Sequence, residues 1–279
     1  MCGAERNEAV GEGACKMPNI IKLAHYELFQ FEEPCISVGK GSGAIFFSGC
    51  NLGCVFCQNY EISSLGKGKI VSKEELIEII KELENAGAEN INFVSPMHYA
   101  LQLVDVLKCY KPKVPVIYNT NAYESEKVIE MLAPYVDVFL PDFKYFSSKL
   151  SDMFSNVPNY FEVALKAIKK MRELKPDKFD ESGKILQGVV IRHMLLPLCT
   201  NDSIKVLQTI KEQIPNTKVS LMAQYTPYAK AKEIKSINRK ITKREYDKVL
   251  EKYRELNLDG YVQELTSATT KYIPRFKFV

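Results

Sequence analysis

After residue 43 the sequence alternates between short apolar runs and amphipathic segments, and this alternation restricts the fold more than any other feature. Residues 44–48, 90–94, 114–118, 136–140, 185–193 and 218–223 are apolar runs of strand length, with a last short one at 261–265. Runs of that length bounded by turn residues read as buried strands. Helical patterns lie between them. Ser72-Lys-Glu-Glu75 is a capping box, in which the Ser and Glu side chains satisfy the first free N–H groups of a helix. Leu76, Ile79, Ile80 and Leu83 then share one face, and Gly87 is placed to end the helix after about residue 86. Further helices are expected across 98–109, 124–132 and 201–213, with helical material between the fourth strand and about residue 174. A last one opens on the capping box of Thr242 and Glu245.

Six or seven strands joined by helices mean a parallel sheet, because parallel strands need long crossovers. An open doubly wound sheet and a β/α barrel both satisfy the pattern. In both, function gathers at the carboxyl ends of the strands. Residues 1–43 are Gly-rich and Pro-containing without sustained periodicity. They are expected to form an irregular extension before a core at 44–265, with a tail at 266–279.

With 279 residues, 46% of them hydrophobic and 26% charged, the chain can bury an ordinary enzyme core. A net charge of +4 suits small acidic ligands and is too weak to imply nucleic acid. No long uncharged apolar run is present, so no membrane span is expected. The first thirteen residues have no apolar signal core, so a cytoplasmic location is expected.

Eight cysteines then need explaining, and in a cytosolic chain clustered thiols bind metal or do redox chemistry. Cys50, Cys54 and Cys57 sit in Gly49-Cys-Asn-Leu-Gly-Cys54-Val-Phe-Cys57, directly after the first strand. Such a loop can turn three thiolates toward one centre, and soft thiolates favour zinc or iron–sulfur iron. A structural zinc normally has four protein ligands, and no fourth Cys or His is near. Three thiolates on a cubane leave one iron open to bind a small molecule.

C-x-x-x-C-x-x-C with an aromatic before the last cysteine, here Phe56, resembles the signature of the radical S-adenosylmethionine (SAM) superfamily. The resemblance implies a partial (β/α)6 barrel, a 4Fe–4S cluster on Cys50, Cys54 and Cys57, and SAM on the open iron. One electron would break a sulfur–carbon bond of SAM, and the 5′-deoxyadenosyl radical would take a hydrogen atom from a substrate. Within the superfamily, Gln58-Asn-Tyr-Glu-Ile62, Asn90-Ile-Asn-Phe-Val-Ser-Pro96, Leu140-Pro-Asp-Phe-Lys144 and Val190-Ile-Arg-His193 resemble the branch named for pyruvate formate-lyase activating enzymes. That resemblance covers roughly residues 20 to 265.

It also implies residue roles. Ser95 stands where many relatives have Gly-Gly-Glu for the SAM amine, with His98 as a neighbour. Asn119 and Thr120 stand where activases have an Asp-Thr pair beside a monovalent cation. Asp142 matches a second cation ligand, Lys144 a residue near the SAM carboxylate, and Arg192 a partner for that carboxylate. Tyr225 stands where relatives place a histidine on the ribose. Each has a structural reading too: a helix cap for Asp142, an ion pair for Arg192. By strand alternation His193 faces away from Arg192 and is expected to pack under a helix.

The implied partners are a reductant such as flavodoxin or ferredoxin, and a glycyl radical enzyme or peptide as substrate. A radical SAM catalyst acting on a small molecule or peptide is the second reading, and a non-catalytic iron–sulfur protein the third. Relatives often carry a Cys-rich amino-terminal stretch, of which Cys2 and Gly11-Glu-Gly-Ala-Cys15 remain here. Two thiolates cannot hold a cubane, and with Cys35 they read more readily as small hydrophobes than as a second metal site.

Overall fold

The structure, a computed structural model, describes residues 4–9, 11–37, 39–269, 276 and 278. Cys2 and most of the expected tail lie outside them. In chain order the elements are β1 (Lys22–Phe29), β2 (Ser42–Phe47), α1 (Tyr60–Ser63), β3 (Lys69–Ile70), α2 (Lys73–Asn85) and β4 (Ile91–Val94). There follow α3 (Ala100–Cys109), β5 (Val116–Thr120), α4 (Glu126–Leu132), β6 (Val138–Pro141), α5 (Ser148–Ser155) and α6 (Tyr160–Leu174). The last are β7 (Lys178–Phe179), β8 (Ile185–Met194), α7 (Thr200–Gln213), β9 (Lys218–Met222), α8 (Lys243–Glu255) and β10 (Gly260–Val262).

One sheet runs in the order β10-β9-β8-β6-β5-β4-β2-β1-β3, with β7 beside β8. The strands from β10 to β2 are all parallel. They coincide with the seven apolar runs of the sequence. Strands β1 and β3 are antiparallel at one edge, and the sheet does not close on itself. Both expected capping boxes form, at Ser72 with Glu75 and at Thr242 with Glu245. No helix among the described residues is long and apolar enough to cross a membrane.

Strand parity decides between the two candidate architectures. Phe47, Phe93, Tyr118, Phe139, Ile191 and Leu221 belong to one buried cluster with the apolar faces of the helices, including Ile80, Leu103, Ile129, Ile168, Leu207 and Val249. The residues of opposite parity do not meet the crossover helices, and only the short α1 reaches them, through Ile62. Ile117, Val138, Leu140 and Val190 pack instead on Cys35 and Ile36, while Ala44, Phe46 and Val94 form a separate cluster. Crossover helices on one face only leave the other face concave, which is a partial barrel and not a doubly wound sheet.

The amino-terminal segment is more ordered than its sequence suggests. Residues 22–29 form β1, paired with β2 through a register shift between Leu23 and His25. The bulge buries Leu23, Ala24 and His25 in succession and so erases the two-residue period by which a strand is recognised. Beyond β1, residues 30–37 turn into the barrel. Cys35 O accepts from Ile185 N at 3.0 Å, and Ile36 O accepts from Asn90 Nδ2 at 2.9 Å. Cys35 and Ile36 thus plug the amino-terminal end of the barrel, where burying an Ile side chain contributes about 1.5–3 kcal/mol. Cys35 is a core residue, and burial pushes its thiol up to about 11.

Candidate functional site

The carboxyl ends of the strands surround a cavity of about 450 Å³. Its lining includes all three thiols, Cys50, Cys54 and Cys57. The loop that carries them is anchored from several sides. Val55 N donates to Phe154 O at 2.9 Å and Cys57 N to Cys54 O at 3.1 Å. The Phe56 ring is buried edge-on against Tyr145, Phe154 and Tyr225, with centroids 6.1 to 6.5 Å away. Phe56 therefore wedges the loop against the barrel wall between two of the thiols. Gly49 has a φ of +86°, and a Cβ there would lie 2.1 Å from Met17 Cγ, so only glycine fits the turn into the loop.

Each thiol has its own polar neighbour. Cys54 Sγ lies 2.9 Å from Ser155 Oγ and Cys57 Sγ lies 3.2 Å from Ser63 Oγ. Cys50 Sγ accepts from Leu52 N and from Asn121 Nδ2, both at 3.4 Å. Burial, then the neighbouring thiols Cys54 and Cys57, push Cys50 up to about 12. Burial, then Cys54, push Cys57 up to about 11. Thiols so raised need a bound metal to become thiolates at neutral pH. Among the described residues, no three Cys, His, Asp or Glu side chains are gathered as a single ion requires. Three thiols ringing a cavity suit a cluster of several irons, in which each sulfur binds a different atom.

Opposite the thiols stands a network of charges. Asp142 Oδ1 accepts from Arg192 Nε at 2.8 Å, and Oδ2 accepts from Lys144 Nζ at 2.6 Å. Arg192 Nη2 donates to Asn119 Oδ1 at 2.5 Å, and Nη1 lies 3.5 Å from Glu32 Oε2. Burial alone would raise the Asp142 carboxyl, but Arg192 and then Lys144 outweigh it and hold it below the usual carboxylate range. Burial also dominates at Glu32, and against the pull of Arg192 it raises that carboxyl to about 7. Tyr160 ties the strand ends together. Its hydroxyl lies 2.6 Å from Asp142 O and 2.9 Å from Asn121 O, and it accepts from Lys144 N at 3.1 Å.

Of the residues singled out from sequence, Ser95, Asn119, Asp142, Lys144 and Arg192 line this cavity with the cysteines and Phe56. Ser95 has a left-handed φ of +57° and donates its N–H to Asn119 O at 2.9 Å. A non-glycine residue in that region is strained, as functional turns often are. Arg192 is engaged by three of the chain's own acceptors, and Thr120 Oγ1 donates to Glu124 and not toward the cavity.

Tyr225 is a correction. It is 1% exposed, does not line the cavity, and donates its hydroxyl to Ile237 O at 2.8 Å, so it packs behind Phe56 and has no group to offer a ribose. Its neighbour Gln224 lines the cavity instead. Beyond the end of β9 strand alternation no longer holds, and the sequence offers no parity to choose between adjacent residues. His98 also lies away from the cavity, with Nε2 on Ser48 O at 2.7 Å, and burial takes its imidazole down to about 4. His193 is buried with Nδ1 on Phe143 O at 2.7 Å, on the helix side of β8.

Three residues of the site escape sequence reasoning. Asn121, two residues past Asn119, touches both Cys50 and Asn51. Its place at a strand end is a usable signal. Glu32 and Glu33 also line the cavity, from a segment with no periodicity to suggest that it enters the barrel.

A concave parallel sheet with a three-thiol loop after its first parallel strand, and ion pairs at later strand ends, has the form of a β/α-barrel enzyme with its site at the strand ends. The chain belongs to the radical SAM superfamily, whose sequence profile matches residues 44–210. It is 34% identical over 268 residues to an uncharacterised protein of Methanocaldococcus jannaschii, covering 91% of this chain and 72% of that one. It is 25% identical over 232 residues to the pyruvate formate-lyase-activating enzyme of Clostridium pasteurianum, covering 79% and 90%. Among solved structures, Streptococcus suis SuiB bound to precursor peptide SuiA superimposes with a TM-score of 0.56 at 18% identity, covering 79% of this chain and 48% of that one. A spore photoproduct lyase mutant gives 0.57 at 11% identity, covering 85% and 79%. The chain thus spans about half the length of SuiB, and these likenesses speak for the fold. Membership makes the chain an enzyme of radical chemistry with a 4Fe–4S cluster and SAM as cofactors, and the donor set of the cavity fits both.

Proposed function

We propose that Cys50, Cys54 and Cys57 hold the cluster, and that the substrate is a small molecule or a short peptide segment entering the same cavity. Held there, a 4Fe–4S cluster would supply the one-electron reduction that radical SAM chemistry needs. The chain's own residues arrange that event. Asn121 and the Ser63 and Ser155 hydroxyls orient the thiols. Lys144, anchored by Asp142, keeps donors free for an incoming carboxylate. Ser95 presents a hydroxyl where relatives hold the SAM amine. Both Asp142 oxygens and Asn119 Oδ1 accept from Arg192 or Lys144, so no monovalent cation is proposed on them.

The carrying observation is that the thiols and the Asp142–Lys144–Arg192 network share one cavity of about 450 Å³. That is the low end of the ~300–1,000 Å³ range for small-molecule sites. Beside a cofactor the size of SAM it leaves room for a side chain or a loop tip. The likeness to the Clostridium pasteurianum enzyme supports a second reading, in which that loop tip is a glycine-bearing segment of a glycyl radical enzyme.

The test is anaerobic reconstitution with iron and sulfide, reduction by dithionite or a flavodoxin, and assay of SAM for 5′-deoxyadenosine. Cleavage by the wild type and none by Cys54→Ala is expected; a reconstituted protein that binds a cluster and leaves SAM intact would make it a non-catalytic iron–sulfur protein. A glycyl-radical doublet in the EPR spectrum of a partner protein would select the second reading over the first.

A further inference from the structure

We propose that the barrel interior beneath Arg192 binds a primary ammonium group on an apolar stem, and that the substrate carries this group. The inference rests on the radical SAM reading above, which puts the substrate in this cavity. Its basis is a surplus of buried acceptors. Glu33 lines the cavity, is 7% exposed, and its Oε2 has no hydrogen-bond partner. Asn92 is fully buried on the concave side of β4. Its Nδ2 donates to Glu32 Oε1 at 2.8 Å and its Oδ1 has no partner. Exchanging the amide N and O would set an oxygen against the Glu32 carboxylate, so the chemistry fixes the orientation. A buried acceptor left unpaired loses its solvation with nothing in return, and such orphans ask for a donor from outside the chain.

No hydrogen bond from the chain's own cations reaches either orphan. Arg192 is divided among Asp142, Asn119 and Glu32, and Lys144 is held by Asp142. At the pH 8 of the assay below, above the value of about 7 to which burial raises Glu32, the carboxylates of Glu32, Glu33 and Asp142 face only Arg192 and Lys144. An ammonium has three donors and no acceptor, which suits Glu33 Oε2 and the Glu32 carboxylate on the cavity wall, while Asn92, buried off the lining, holds Glu32 from behind. Phe29, Phe46 and Val94 line the same cavity and give an aliphatic stem an apolar and aromatic wall. Aromatic faces also attract a desolvated cation. An alcohol of the same length brings one donor and no charge, and a carboxylate is repelled.

The reconstituted enzyme, anaerobic and unreduced, is titrated calorimetrically at pH 8 with n-pentylamine, 1-pentanol and potassium chloride in turn. Pentylamine is expected to bind at least tenfold more tightly than pentanol, and Glu33→Gln to bring it down to the level of the alcohol. Asn92→Leu, which removes the amide that holds the Glu32 carboxylate in place, is expected to weaken the amine about tenfold and keeps the test open should Glu33→Gln not fold. Equal binding of amine and alcohol, or amine binding unchanged in both variants, overturns the proposal. So does potassium binding that the amine cannot displace, which would make the chamber an inorganic cation site. SAM cleavage is followed on the same wild-type preparation. Cleavage without amine selectivity defeats this inference alone, whereas loss of cleavage defeats the catalytic reading beneath it.

Discussion

Replacing Asp142 by Asn keeps the shape of the side chain and one acceptor, but removes the charge that Arg192 and Lys144 share. The Asp142, Lys144 and Arg192 side chains are 23%, 18% and 14% exposed, too buried to be discounted as surface ion pairs. Removing one partner of a buried pair costs about 3–5 kcal/mol, because the survivor is left uncompensated. Two features reduce that here: the Asn carbonyl still accepts one bond, and Glu32 Oε2 stays 3.5 Å from Arg192. The expected loss is therefore about 2–3 kcal/mol, set against a typical total of about 5–15 kcal/mol. At about 2–4 °C per kcal/mol, Tm falls by roughly 5–10 °C. The assay is urea or thermal unfolding of the anaerobically purified protein at pH 8. A double-mutant cycle with Arg192→Met should show a coupling of about 2 kcal/mol. The Asp142 carboxyl is held below its ordinary value, so its contribution is complete above that value and lost as pH falls through the lower folded one. The gap between wild type and variant should therefore close in strong acid. A loss under about 0.5 kcal/mol, or two additive single variants, would refute the reading of Asp142 and Arg192 as a buried, coupled ion pair.

Glu124 is buried, and burial raises its carboxyl from 4.5 to about 7 against hydrogen bonds from Thr120 and Tyr118. Its protonated form stabilises the fold fully below about pH 4.5, and that contribution is lost as pH rises to about 7, a change of about 3 kcal/mol. Glu124→Gln should flatten that part of the stability–pH profile, and superimposable profiles would contradict it. Asn121→Leu removes an N–H from Cys50 Sγ, so the midpoint potential of the reconstituted cluster should fall in an EPR-monitored redox titration. An unmoved or higher potential would show that the bond does not reach the cluster. Ser95→Gly relieves a left-handed φ of +57° and should stabilise the protein by about 1 kcal/mol in thermal unfolding. A loss of stability instead would show that the Ser95 hydroxyl holds more than its backbone strain costs.

The parallel core was legible because each element announces itself locally. Ser72 and Glu75 cap α2 as the spacing requires, and Leu76, Ile79, Ile80 and Leu83 are its buried face. The cysteine loop was legible for the same reason, since its spacing lies within one turn of chain. Strand parity carried further than expected. The alternation that sends His193 under the helices puts Arg192 in the cavity, and applied to β5 and β6 it separates Asn119 and Leu140 from Tyr118 and Phe139. Tyr225 failed where that parity ends, one residue from Gln224.

What stayed hidden is contact between distant segments. Glu32-Glu33-Pro34 has the composition of a solvated turn, and nothing local marks its two carboxylates as buried. Its burial follows from the next two residues, Cys35 and Ile36, which fill the barrel end among Ile117, Val138 and Val190. Once those are fixed, the two carboxylates before them have nowhere to go but up the barrel axis, toward Arg192. The apolar plug and the acidic chamber are thus one device: hydrophobic burial at the amino-terminal end of the barrel holds charged groups where they would not settle alone. This also separates two kinds of change in the segment. Shortening Ile36 should lower stability and loosen the chamber together, whereas neutralising Glu33 should alter what the chamber binds with little loss of the plug, because Cys35 and Ile36 keep their own contacts and backbone bonds.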